Sequence, residues 1–119
     1  MQQLTKNFTK DEFSCPCCGF NIIDHNLVNR LQLLRDTLNE SLVVKSGCRC
    51  KKHNAEVGGT PDSAHLYGKA ADILCPDSGF RYRFLSQAFK LFARIEVPNG
   101  PWIHVDIDES KPQNVCFTR

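Results

Sequence analysis

Leucine returns at three- and four-residue spacing through DHNLVNRLQLLRDTLNE, at Leu27, Leu31, Leu34 and Leu38. That spacing predicts an amphipathic helix with one apolar face, opened by Asp24 as its N-cap. A second stripe, Phe80, Phe84, Ala88, Leu91 and Phe92, predicts a helix over GFRYRFLSQAFKLFARI with Ser78 as cap; it reads as core. SLVVKS is a short β-branched run and predicts a buried strand, and GKAADILC predicts another. CRCKKHNAEVGG reads as a loop and a short helix stopped by Gly58 and Gly59, and TPDSAH as a tight corner set by Pro61 and Asp62. FTKDEF predicts a helical turn with Thr9 as N-cap and Glu12 as its capping-box partner.

Near the C-terminus PWIHVDID alternates. Trp102, His104 and Asp106 fall on one face of a strand of period two, and Ile103, Val105 and Ile107 on the other. Helices and strands are mixed without a regular βαβ rhythm. The expected class is therefore α+β, a small antiparallel sheet flanked by helices. No repeat or linker interrupts residues 1–119, which are expected to form a single domain.

Composition narrows the function classes. The chain is 41% hydrophobic and 24% charged, ordinary for a globular protein. A net charge of +2 with scattered lysines and arginines argues against nucleic acid as a partner. No apolar run approaches the roughly 20 residues that span a membrane. MQQLTKNFTKDEF has no apolar core of a signal peptide, so synthesis in the cytoplasm is expected. A monomer is expected. Seven cysteines are many for this length, and three readings compete: buried small hydrophobes, one or two disulfides, or a structural metal held by CPCC and CRC. Only Cys15 and Cys18 meet the usual C-x2-C spacing of a zinc ribbon, so buried hydrophobes are the expectation.

The candidate chemistry lies in SAHLYGKAAD, residues 63–72, and in the alternating strand. His65, Asp72 and His104 make two imidazoles and one carboxylate, a common donor set for catalytic zinc with a position kept for water. Gly68, Ala70 and Ala71 are small enough to let a loop ligand and a strand ligand converge.

SAHLYGKAAD also fits the S-x-H-x-x-G-x-A-x-D motif of the zinc D-Ala-D-Ala carboxypeptidase family at every fixed position. WIHVD resembles that family's final H-x-D element, and VVKSGCRCKKHNAEVGG resembles its S-G-x-R segment with H-N and a Gly-Gly turn. FTKDEFSCPCCG is similar to the start of small, often phage-borne members, so the likeness spans nearly the whole chain. The family shares its zinc core with hedgehog signalling domains and peptidoglycan endopeptidases.

The resemblance implies Zn2+ as cofactor, with His65, Asp72 and His104 as its ligands. It implies zinc-activated water attacking a peptide bond in peptidoglycan stem peptides or cross-links, by carboxypeptidase or endopeptidase action. Arg49 falls at the arginine that faces the substrate carboxylate or the oxyanion, and its fixed charge and fork of donors suit either task. Ser63 is expected near the metal or the substrate; His53 and Asn54 read as structural.

The chain departs from the pattern at Pro101, where many relatives place the acid that serves as general base. Asp106 is the expected replacement and Glu96 its rival. A phage or prophage protein is implied, acting on the cell wall after release or within a phage particle. Two alternatives stand beside the enzyme. One is a non-catalytic zinc module that binds cell wall or protein; the other is a cysteine-based structural protein with incidental histidines.

Overall fold

The computed structural model describes residues 2–118. Three helices, α1 (His25–Leu38), α2 (Lys51–Glu56) and α3 (Ser78–Ala88), accompany five strands: β1 (Val44–Ser46), β2 (Ala70–Leu74), β3 (Arg94–Val97), β4 (Trp102–Asp106) and β5 (Val115–Thr118). Short 3-10 turns occupy Lys10–Phe13 and Ala64–Tyr67. The strands form one sheet in the order β1-β2-β4-β3-β5. Every pairing is antiparallel except β3 with β5, which is parallel. The α+β expectation holds, with one parallel edge added.

The first helix follows its pattern. Asp24 accepts the Asn26 N–H at 2.8 Å as N-cap, and Asn39 closes the helix in the left-handed conformation at φ 52°. Leu27, Val28, Leu31 and Leu34 are fully buried, while Leu38 packs at the margin of the core. Each such leucine contributes roughly 1.5–3 kcal/mol through burial. In the turn before it, Glu12 accepts the Thr9 N–H at 2.6 Å, the glutamate half of a capping box.

The second stripe departs from expectation at both ends. The cap of α3 is Asp77, not Ser78: its carboxylate accepts the Phe80 N–H at 2.7 Å. The helix stops at Ala88, whereas the expected helix ran on to Ile95 and its apolar stripe to Phe92. The Lys90 and Leu91 amides bond only three residues back, at 3.1 and 3.0 Å, tightening the chain into a turn. Phe92 is still buried from that turn, and Arg94–Val97 leaves as β3, where ladder bonds to two neighbours replace helical ones.

Alternation then decides the two faces of the sheet. Ala71, Ile73, Ile95, Ile103 and Val105 join the leucines of α1 and the phenylalanines of α3 in the core. Their neighbours in sequence, Asp72, Arg94, Glu96, His104 and Asp106, line a cleft on the opposite face. Among the described residues no helix is long and apolar enough to cross a membrane.

Candidate metal centre

His65 reaches the cleft from the 3-10 turn Ala64–Tyr67. Ser63 begins that turn, its hydroxyl accepting the His65 N–H at 3.3 Å. Gly68 ends it at φ +69°, where an added Cβ would strike the Ile22 backbone carbonyl. Only glycine meets both demands. The chain can then turn at once into β2, which carries Asp72. In the register of β2 with β4, Asp72 lies directly opposite His104, near enough for the two side chains to meet.

The three side chains converge. His65 Nε2 lies 3.2 Å and His104 Nδ1 3.0 Å from the same oxygen of Asp72, Oδ1. One donor atom from each residue falls within 4.8 Å of the others. Each imidazole is also held from behind. His65 Nδ1 donates to the Gly47 carbonyl at 2.6 Å, which leaves Nε2 as the ligating lone pair. His104 Nε2 donates to Asp106 Oδ2 at 2.8 Å, which aims Nδ1 inward. Backing partners of this kind fix ring orientation at metal sites. Two nitrogens and one carboxylate oxygen, each aimed at a common point, can hold zinc with a position open for water.

Electrostatics follow the same geometry. Burial pushes the His65 imidazole down despite the nearby Asp72 carboxylate. Burial also opposes charge on His104, but hydrogen bonds to Asp106 and Asp72 overrule it and lift that imidazole to about 9. Burial alone would raise the Asp72 carboxyl; the two histidines hold it well below the usual carboxylate range instead. Without a metal, a protonated His104 thus balances the buried Asp72 carboxylate, and a cation bound there would take the place of that proton.

Asp106 is committed on both oxygens. Oδ1 accepts from Arg94 Nε at 2.8 Å and from the Asp108 N–H at 3.1 Å, while Oδ2 faces His104. Glu96 lies opposite His104 in the register of β3 with β4 and is buried on the cleft side. Arg49 also faces the cleft, oriented by Ser46 Oγ at 3.2 Å, Asn54 Oδ1 at 3.3 Å and Asp72 Oδ2 at 3.2 Å. Asn54 is buried and donates to the Thr60 carbonyl at 2.8 Å, so it fixes the guanidinium rather than meeting a ligand.

The cleft encloses about 540 Å³, within the range of small-ligand sites. Lys45, Trp102, Lys111 and Phe117 extend its wall, with the Lys45 ammonium 3.9 Å from the Trp102 ring centre. A profile described as Peptidase M15 matches residues 6–106. The chain belongs to the peptidase M15 family. M15 peptidases are metal-dependent, typically with zinc, and the chain is by membership a metallopeptidase. The resemblance carried by SAHLYGKAAD and WIHVD thus holds at the level of the family. No curated protein matches the chain significantly.

Several parts of this M15 centre escape sequence reasoning. The Gly47 carbonyl behind His65 carries no side-chain signal. Arg94 behind Asp106 was legible only as the residue two before Glu96, on the same face of a strand not foreseen there. Phe117 enters on β5, also unforeseen.

Proposed function

We propose that the chain is a zinc peptidase acting on peptide bonds of peptidoglycan stem peptides or cross-links, working as one domain. The convergence of His65 Nε2, Asp72 Oδ1 and His104 Nδ1 within 4.8 Å carries this reading. When bound by these atoms, zinc supplies a Lewis acid that acidifies water and polarises the amide carbonyl. The Gly47 carbonyl and Asp106 keep the two imidazoles aimed and in the ligating tautomer.

Glu96 is the proposed general base. It takes a proton from the attacking water and returns it to the departing amine nitrogen. Asp106, expected from the strand pattern as the catalytic carboxylate, is assigned the role of orienting His104, on its 2.8 Å contact with Nε2. Arg49 sits beside Asp72 to meet a substrate carboxylate or the oxyanion of the tetrahedral intermediate. Lys45 and Lys111 add positive charge around the same cleft, which suits a peptide ending in a carboxylate. Ser63 shapes the turn under the substrate. A phage or prophage origin fits the likeness of FTKDEFSCPCCG to phage-borne members, with action on the wall after release or from a phage particle.

Pro101 favours a second reading, a zinc-containing module that binds wall peptide without cutting it, since no acid occupies that position. One experiment separates them: zinc content of the purified chain, with muropeptide release from peptidoglycan measured with and without chelator. Release that a chelator abolishes is the expected result. Zinc bound at His65, Asp72 and His104 without any release would establish the binding module, and an intact site without zinc would sink both.

A further inference from the structure

Four of the seven cysteines gather at a second place in the fold. Cys15, Cys17, Cys18 and Cys50 each offer a sulfur, and the four sulfurs lie within 4.8 Å of one another. The Sγ separations are 3.2 Å for Cys17 and Cys50, 3.6 Å for Cys15 and Cys17, and 3.8 Å for Cys15 and Cys50. A tetrahedral zinc with Zn–S bonds near 2.3 Å has sulfur–sulfur edges of about 3.8 Å. A disulfide would unite one pair at about 2.05 Å and leave the other sulfurs crowded without a bond. Mutual proximity of four is the arrangement of a tetrathiolate.

Local backbone builds this cluster. The Gly19 N–H bonds to the Cys15 carbonyl and the Cys15 N–H to the Phe20 carbonyl, both at 2.8 Å, so CPCC curls and turns three sulfurs to one side. Cys50 arrives as the N-cap of α2. Two amides point at sulfur: Cys50 N–H at Cys15 Sγ, 3.5 Å, and His53 N–H at Cys50 Sγ, 3.4 Å. Such donors compensate the negative charge of metal-bound thiolates. The other three cysteines stand apart. Cys48 and Cys75 are buried, donating weakly to Asn21 Oδ1 and the Asp77 carbonyl, and Cys116 is exposed on β5. Cys15, Cys48 and Cys75 are buried as expected of small hydrophobes, but Cys15 sits within the sulfur cluster.

We propose that Cys15, Cys17, Cys18 and Cys50 hold a structural zinc ion, separate from the His65, Asp72 and His104 centre. Thiolate sets of this geometry take zinc or iron. Cys17 and Cys18 are exposed, which favours the redox-inert ion. The ion ties the N-terminal loop to the residue directly after Arg49, and so braces the cleft wall that Pro16 and Arg49 share. This inference stands independently of the peptidase reading.

The test uses the full chain. Zinc-loaded wild-type protein carries two zinc ions, and His65→Ala/His104→Ala keeps one. Loaded with Co2+, that double variant shows the intense thiolate-to-metal charge-transfer absorption of a sulfur site. Cys17→Ser/Cys18→Ser, changed only at exposed positions, loses that absorption and one equivalent of metal. In wild-type protein, chelation makes four additional thiols reactive towards a thiol reagent. A folded His65→Ala/His104→Ala variant without metal overturns the proposal, as do four thiols that react equally fast with and without zinc. So does a disulfide among these cysteines in protein purified anaerobically, and so does iron as the ion retained by the cluster.

Discussion

Replacing Asp106 by asparagine separates two roles that a carboxylate beside a metal ligand can play. Asparagine keeps an oxygen to accept from Arg94 Nε and the Asp108 N–H, now at 2.8 and 3.1 Å. It loses the second charged oxygen, 2.8 Å from His104 Nε2. Losing such a backing carboxylate costs roughly 10–100-fold in metal affinity, or about 1.4–2.7 kcal/mol. Arg94, itself buried, loses its counter-charge as well, at a stability cost on the order of 1–3 kcal/mol. Zinc affinity is read by competition with a chromophoric chelator, and turnover by muropeptide release at saturating zinc, with circular dichroism checking the fold. Asp106→Asn is expected to weaken zinc by that factor and to regain most turnover once zinc saturates. Glu96→Gln is expected to bind zinc within twofold of wild type and to lose about 10²–10⁴ in turnover, the usual worth of a general base. The reverse pattern, wild-type zinc affinity with that large loss in Asp106→Asn, would refute the assignment and make Asp106 the base.

Two further outcomes follow from features away from the donor set. Lys111, Ser110 and the Ser110 amide overrule burial and hold the Asp108 carboxyl at about 2, below its ordinary 3.8. Its contribution is complete above pH 4 and drains as pH falls through 2. After solvent screening it amounts to about 1–2 kcal/mol. Urea midpoints of wild type and Asp108→Asn should therefore differ at pH 6 and converge near pH 2; a constant gap would show the ion pair is not the cause. Gly68→Ala forces a left-handed residue against the Ile22 carbonyl and should destabilise by at least ~2 kcal/mol. An unchanged melting temperature would mean the turn relaxes freely.

Local pattern carried much of the centre into view. His65 and Asp72 share one short motif, and the period of two put His104 and Asp106 on a single strand face, so their convergence needed only an ordinary antiparallel register. What lay hidden was long-range. The stripe's last members, Leu91 and Phe92, prolong α3 on paper because helical spacing says which face is apolar, not where ladder bonds in β3 become the better option. β5 pairs in parallel with a strand some twenty residues earlier, and nothing in NVCFT announces that partner. The cysteines fail the usual spacing test because Cys50 joins the other three through the fold rather than through a second C-x2-C.

The matched region ends at Asp106, yet the cleft is finished by residues beyond it. β4 ends at Asp106 and β5 begins at Val115, both beside Arg94. Residues 107–114 therefore cross one end of β3 before β5 lays Phe117 6.2 Å from the His104 ring and 5.1 Å from the Arg94 guanidinium. Part of the wall therefore lies beyond the matched stretch that carries the donor set. Changes at Lys111 or Phe117 thus reshape the wall while His65, Asp72 and His104 stay as they are. The Asp108 amide and the Pro112 carbonyl, by contrast, hold Asp106 and Arg94 and tie the same segment to the donor set.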